Sequence, residues 1–196
     1  MTEYSHELKI PKERVAVLIG RKGQIKQEIE ENTGVKLDVD SAEGDVRVSG
    51  TDPLRLFSVR EIVKAVGRGF NPEVAQKLLK QDYCFEMLTI TDYAKTKKDI
   101  LRLKGRVIGS EGKSRRLIEE TCDVSMVVYG KTIGIIGESA HVPIARKAVE
   151  MLLTGSQHSK VYKWLEKQRR DLRKLDELPA SAFEIKEEND NAEDTD

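Results

Sequence analysis

The spacing of apolar residues changes period several times along the chain, and each change marks an element. Glu7 to Ile10 reads as a short strand. Pro11 then opens a helix at Lys12 that carries Val15, Leu18 and Ile19 on one face. Gly20 to Gly23 interrupts it. A second helix runs to Asn32 with Ile25 and Ile29 one turn apart, and Gly34 stops it. Val35, Leu37 and Val39 alternate with Lys36, Asp38 and Asp40, the period of a half-buried strand. Ser41 to Gly44 turns the chain, and Val46 and Val48 lie on the return strand. Asp52-Pro53 opens a third helix, with Leu54, Phe57, Ile62 and Val66 expected on its apolar stripe.

The pattern then repeats. Ile19-Gly20-Arg21-Lys22-Gly23 aligns with Ile108-Gly109-Ser110-Glu111-Gly112 at an offset of 89 residues. At the same offset Ile29, Glu30, Glu31, Val35 and Val39 meet Ile118, Glu119, Glu120, Val124 and Val128, giving eight identities in 21 positions. In the second copy Phe85, Met87 and Thr89 lie on the first strand. An inserted basic stretch follows, with Lys95, Lys97, Lys98, Arg102, Lys104 and Arg106. Lys113 to Thr121 is helical, Val124, Met126 and Val128 alternate, and Ile133 and Ile135 return. Ser139 is expected to cap the last helix, which carries Val142, Ala145, Val149 and Leu152 and stops at Gly155.

Domain organisation follows from these elements. Residues 1–70 form the first module and 83–155 the second. A linker at 71–82 begins a helix of about ten residues at Asn71-Pro72. Residues 156–176 form a basic amphipathic helix with Val161, Trp164, Leu165, Gln168, Leu172 and Leu175 on its apolar stripe. Residues 177–196 form an acidic tail, expected to be disordered.

Charge sharpens this division. The formal net charge is +0, yet residues 177–196 hold eight acids and one base, so the body is basic and the tail acidic. A basic body suits a polyanionic partner. No stretch reaches the roughly 18 apolar residues of a membrane span, and Met1 to Leu8 shows no signal-peptide pattern. Cys84 and Cys122 stand at unrelated positions, which fits two buried thiols in a reducing cytoplasm better than a disulfide or zinc site.

A glycine pair between two helices exposes backbone N–H groups at the second helix's N-terminus, where they and the helix dipole attract phosphate. Glycine lacks Cβ, so a sugar-phosphate backbone can approach. The candidate binding residues are therefore Gly20, Arg21, Lys22, Gly23 and Lys26 in the first copy, and Gly109, Ser110, Gly112, Lys113, Arg115 and Arg116 in the second. Loop one is the electrostatically better clamp. Loop two contains Glu111, and Ser114 replaces the apolar Ile25.

Catalytic readings fail. Gly112-Lys113-Ser114 and Gly130-Lys131-Thr132 lack the P-loop's upstream glycine, with Val107 and Ser125 in its place. His6, His141 and His158 are scattered without ligand or triad spacing. Glu30-Glu31 and Glu119-Glu120 recur at helix ends and read as solvated charge. The expectation is a binding protein, not an enzyme, without cofactor or metal.

The segment Ile19-Gly20-Arg21-Lys22-Gly23…Ile29…Thr33-Gly34-Val35 resembles the signature of a type I KH domain. This implies an α+β protein of two tandem type I KH domains. Each is β-α-α-β-β-α, a three-stranded antiparallel sheet with helices on one face, and a C-terminal helix follows them. Such domains clamp about four nucleotides with the GXXG loop. The resemblance offers Val17, Ile25, Leu37, Val107 and Met126 as groove or core residues. Two KH copies, a helical linker and Gly155-Ser156-Gln157-His158-Ser159-Lys160-Val161-Tyr162 together resemble the archaeal counterpart of the partner-of-Nob family of small ribosomal subunit assembly factors. That likeness implies single-stranded RNA as partner, at the 3′ end of small-subunit rRNA, beside a PIN-domain endonuclease. An RNA-binding subunit of a degradation complex such as the exosome is the alternative, though no S1-type run of five short strands is visible. Single-stranded DNA shares the same loop physics.

Overall fold

The computed structural model describes residues 3–176. In chain order the elements are β1 (Tyr4–Lys9), α1 (Lys12–Ile19), α2 (Gln24–Thr33), β2 (Lys36–Val39), β3 (Asp45–Gly50) and α3 (Pro53–Gly67). They continue with α4 (Pro72–Ala75), β4 (Tyr83–Thr89), α5 (Lys97–Ile108), α6 (Lys113–Cys122), β5 (Val124–Tyr129), β6 (Thr132–Glu138), α7 (Val142–Leu153) and α8 (His158–Asp176). Short 3₁₀ turns cover Arg21–Gly23 and Ser110–Gly112. The acidic segment 177–196 lies outside the described residues.

Each copy forms one three-stranded antiparallel sheet, ordered β1-β3-β2 in the first and β4-β6-β5 in the second. In both, the returning strand sits in the middle. Leu8 pairs with Val46 and Leu37 with Val48 in the first sheet; Glu86 pairs with Ile135 and Met126 with Ile135 in the second. The cores are Val15, Leu18, Ile29, Leu37, Val46, Val48 and Val59 in copy one, and Leu103, Val107, Ile118, Met126, Ile133, Ile135 and Val149 in copy two. These are the alternating strand residues facing the i, i+3, i+4 stripes of the helices.

The outer faces of the two sheets differ. On the first sheet Glu7 pairs across to Arg47, both exposed, with Arg47 Nη2 3.1 Å from Glu7 Oε1. The register puts Phe85 opposite Ile136 at the same place in the second sheet. Thr132 to Gly137 is buried without a break, so β6 is covered on both faces. The cover is the first copy's end. Phe70 packs edge-on against Phe85 at 5.8 Å, and Ile136 belongs to the first copy's apolar cluster. A Cβ on Gly134 would stand 2.5 Å from the Phe70 ring, so only glycine lets Phe70 seat there. The Tyr129 hydroxyl donates to Glu13, and this bond raises the phenol's pKa. Arg14 closes the joint by donating to Val66 O at 2.8 Å and Phe70 O at 2.6 Å.

Several expectations are corrected. The first strand begins at Tyr4 and ends at Lys9, where Ile10 turns into the core. The stripe of α3 is Leu56, Val59, Ile62, Val63 and Val66, whereas Leu54 is 80% and Phe57 55% exposed. Asp52 caps the helix by accepting from Leu54 N and Arg55 N, with Pro53 at the first helical position. The linker helix is four residues plus a 3₁₀ turn at Gln76–Leu79. Its Ala75 and Leu78 are buried in the joint. The basic stretch of copy two is mostly helix α5, with Thr96 accepting from Asp99 N at its start. Ser139 caps nothing; its Oγ donates to Asp82 O at 2.9 Å, and α7 begins after His141 without a side-chain cap. Helix α8 packs through buried Val161 and Leu165, with Trp164 and Tyr162 half-buried. Lys160, Lys163, Lys167, Arg169 and Arg170 are exposed on its other faces.

Candidate nucleic-acid interface

The two glycine loops share one backbone shape. Gly20 has φ 74°, ψ 178° and Gly109 φ 74°, ψ 174°. Lys22 and Glu111 both sit at φ 51°, ψ 26°, and Gly23 and Gly112 at φ 80° and 77°. The first glycine of each loop is required twice over. Its φ lies in the left-handed region, and a Cβ there would meet Ile25 Cγ1 at 2.4 Å or Ser114 Cβ at 2.7 Å. Lys22 and Glu111 hold a left-handed conformation that costs a non-glycine residue roughly 1–2 kcal/mol. The cost recurs in both copies at the residue before the second glycine, whose N–H donates back to the first glycine's carbonyl at 3.3 Å.

Beyond each loop a ten-residue helix starts with no side-chain cap and no acid in its first turn. Its N-terminal N–H groups are therefore not claimed by a side chain, and the helix dipole points their positive end at the loop. Around loop one Arg21 and Lys22 are exposed and Lys26 is half-buried. Around loop two Ser110, Lys113 and Arg116 are exposed. Arg115 is turned away, with Nε 3.4 Å from Glu119 Oε2 in an ion pair too poorly aligned to be a hydrogen bond. The positive charge that copy one carries on its loop is carried in copy two by the first turn of α6.

Of the residues that the likeness offered as groove or core, Leu37, Val107 and Met126 are core. Val17 and Ile25 are half-buried and pack against the core of copy one. Of the repeated glutamates, Glu31 and Glu120 are exposed, whereas Glu30 and Glu119 depart from the expectation of solvated charge. Glu30 Oε1 accepts from Leu37 N at 2.7 Å, and Glu119 Oε1 accepts from Met126 N at 2.8 Å. Each carboxylate ties the helix after the glycine loop to the strand across the cleft and satisfies an otherwise unpaired strand N–H. Among the described residues no cluster of three metal-ligating side chains exists, and no helix is long and apolar enough to cross a membrane.

Two three-stranded antiparallel sheets with helices on one face, each module presenting a glycine loop at an uncapped helix N-terminus, define a tandem type I KH protein. Residues 84–170 match the family model of the eukaryotic-type KH domain (KH-domain type I), and residues 5–66 match the KH domain model. The first match runs into α8, so the C-terminal helix belongs to the second module's pattern.

The chain belongs to the KH-domain family that includes the archaeal Dim2p and eukaryotic PNO1 proteins. It is 53% identical over 171 residues to KH domain-containing protein MJ0443 of Methanocaldococcus jannaschii, covering 85% of this chain and 75% of that one. It is 34% identical over 114 residues to pre-rRNA-processing protein PNO1 of Eremothecium gossypii, covering 57% of this chain and 43% of that protein. Thus the chain spans less than half of that longer relative. Its structure is similar to Dim2p of Pyrococcus horikoshii in the complex with a/eIF2alpha and rRNA. There the TM-score is 0.81 with 43% identity, over 86% of this chain and 96% of that one.

Proposed function

We propose that this protein binds single-stranded RNA in the 3′-end region of small-subunit ribosomal RNA and acts in assembly of that subunit in the cytoplasm. The observation that carries the reading is the pair of glycine loops with one backbone shape, each at an uncapped, acid-free helix N-terminus. Phosphates sit against the loop N–H groups between the glycines, at Arg21 and Lys22 and at Ser110 and Glu111, since the glycine N–H groups donate within the chain. Arg21, Lys22 and Lys26 add charge in copy one, and Lys113, Arg116 and the outer part of Arg115 add it in copy two. Bases lie over Val17 and Ile25 in the cleft whose width Glu30 sets. The phosphate contacts set the strand's position, and the bases carry the sequence preference.

The names of the relatives support the ribosomal target, one being a pre-rRNA-processing protein and another a partner of rRNA. The protein positions the RNA and does not cut it; a PIN-domain endonuclease working beside it would supply the cleavage. Competition binding at fixed salt tests the reading. The 3′-terminal small-subunit rRNA sequence is expected to displace a labelled probe at lower concentration than a scrambled strand of equal length. Equal displacement would leave a general RNA binder and remove the ribosomal assignment.

A further inference from the structure

Copy two has a recess beside its glycine loop that is walled in part by α8. It measures about 470 Å³, within the roughly 300–1,000 Å³ of small-ligand pockets. Its walls are the C-terminal half of α5, the N-terminus of α6 and the first turns of α8, and no residue of β5 lines it. The cleft toward the strand is therefore a different place. Arg102, Arg106, Lys113, Ser114, His158 and Tyr162 carry its chemistry, and no acid lines it.

Three observations say what it takes. First, Ser114 is fully buried where copy one has Ile25, and its Oγ has no hydrogen-bond partner. Leaving a buried hydroxyl unpaired costs on the order of 1–3 kcal/mol, a cost that an incoming acceptor oxygen removes. Second, the first turn of α6 brings N–H groups that no side chain caps. Third, the walls are fixed. Arg106 donates to Leu152 O at 3.1 Å and Ser156 O at 2.5 Å. His158 Nε2 lies 2.9 Å from Arg106 O and stands edge-on to Tyr162 at 5.9 Å. Arg106 thus contributes charge while its donors tie α5 to the end of α7 and the turn before α8. Arg102, exposed and 3.2 Å from Asp99, and Lys113 are the cations able to turn toward a ligand.

We propose that this α8-walled recess is a nucleotide subsite of copy two. It takes an internal phosphodiester of the strand next to the one held at loop Gly109–Gly112, with Tyr162 against its base. The proposal rests on the RNA-binding reading above. The strand then continues from loop two onto the α6–α8 side, where Lys113 and Arg102 lie. Copy two then contacts more nucleotides than the roughly four a GXXG loop clamps alone.

The test uses the full chain with Arg21 and Lys22 both changed to Asp, so that copy two is read by itself. Unstructured RNAs of four and eight nucleotides are titrated at several salt concentrations. The eight-nucleotide strand is expected to bind at least fivefold tighter than the four-nucleotide strand. Arg102→Gln and Tyr162→Ala are each expected to erase most of that gain and leave four-nucleotide binding unchanged. Tyr162→Phe is expected to retain it. Arg102→Gln should also lower the salt slope by about 0.7 for the longer strand only. Equal gains in parent and variants would overturn the subsite. So would a gain obtained merely by adding a terminal phosphate to the four-nucleotide strand. Failure of the unsubstituted chain to bind either RNA would instead overturn the RNA-binding reading itself. Should Tyr162→Ala unfold, the exposed Arg102→Gln carries the test.

Discussion

The two KH copies share their backbone to within a few degrees at the glycine loops and differ in nearly everything that surrounds it. Copy one shows water a charged outer sheet face, with Glu7 and Arg47 paired across it, and puts Arg21 and Lys22 on its loop. Copy two shows water neither side of its middle strand. Phe70 and the end of α3 cover one face, and α8 lies over α6 and α7. Its loop carries Glu111, and its cations have moved into α6 and the helices beside it. The difference teaches that a repeat can keep one loop geometry while its outer faces take on separate work. Copy one is the open module, and copy two is the structural hub.

The outer sheet faces offer the strongest way to break this comparison. Ile136 and Arg47 occupy the same place in the two sheets. Ile136→Arg buries an unpaired charge in the joint and is expected to cost about 3–5 kcal/mol. Arg47→Ile, on an exposed face, is expected to change stability by no more than about 0.5 kcal/mol. Urea unfolding of the two variants reads both. Similar costs would mean that the two sheets are equally covered in solution. Next in size are the tethering glutamates. Glu30→Ala and Glu119→Ala each leave a strand N–H without its acceptor, for about 1–3 kcal/mol apiece. Here the copies should behave alike. A cost seen in only one copy would show that the cleft geometry is not shared.

A smaller effect separates the ends of α2 and α6. Thr33 donates to Ile29 O at 2.6 Å and accepts from Val35 N at 3.2 Å, while Cys122 takes its place in copy two. Burial pushes the Cys122 thiol up to about 12 from its usual 9.0. The folded value is raised, so the neutral thiol's contribution to stability is complete below pH 9 and is lost as pH rises toward 12. At pH 10 the parent is expected to lose about 1 kcal/mol more, relative to pH 8, than Cys122→Thr. Equal decreases in the urea midpoints would place the alkaline sensitivity elsewhere.

The sequence carried the repeat, the loops and the strand alternation, because these are local periodicities with glycine punctuation. It also held the clue to the hub. Thr132 to Gly137 is apolar without alternation where Asp45 to Gly50 alternates, which is how a strand buried on both faces reads. What covers it is not legible, since Phe70 reaches Gly134 only through the tertiary path of the linker. The phase of α3 escapes the pattern for a related reason. Leu54 and Phe57 are apolar and one turn apart, but Leu56, Val59 and Ile62 offer a second apolar stripe, and that is the one packed into the core. The roles of Glu30 and Glu119 are hidden because their partners are backbone groups, which leave no mark on composition. The recess walled by α8 joins residues more than 50 positions apart in sequence, with no motif between them.

The central claim is that both loops clamp RNA through one backbone geometry and that side-chain charge favours copy one. One measurement tests it most directly. The parent, Arg21→Asp with Lys22→Asp, and Glu111→Lys are titrated with the same single-stranded RNA at several salt concentrations, with fold checked by circular dichroism. The loop-one variant is expected to bind about tenfold more weakly at low salt, with its salt slope reduced by about 0.7 for each phosphate that is no longer neutralised. Glu111→Lys is expected to bind more tightly than the parent. A folded loop-one variant that binds like the parent with an unchanged salt slope would contradict the ranking and make copy two the principal site.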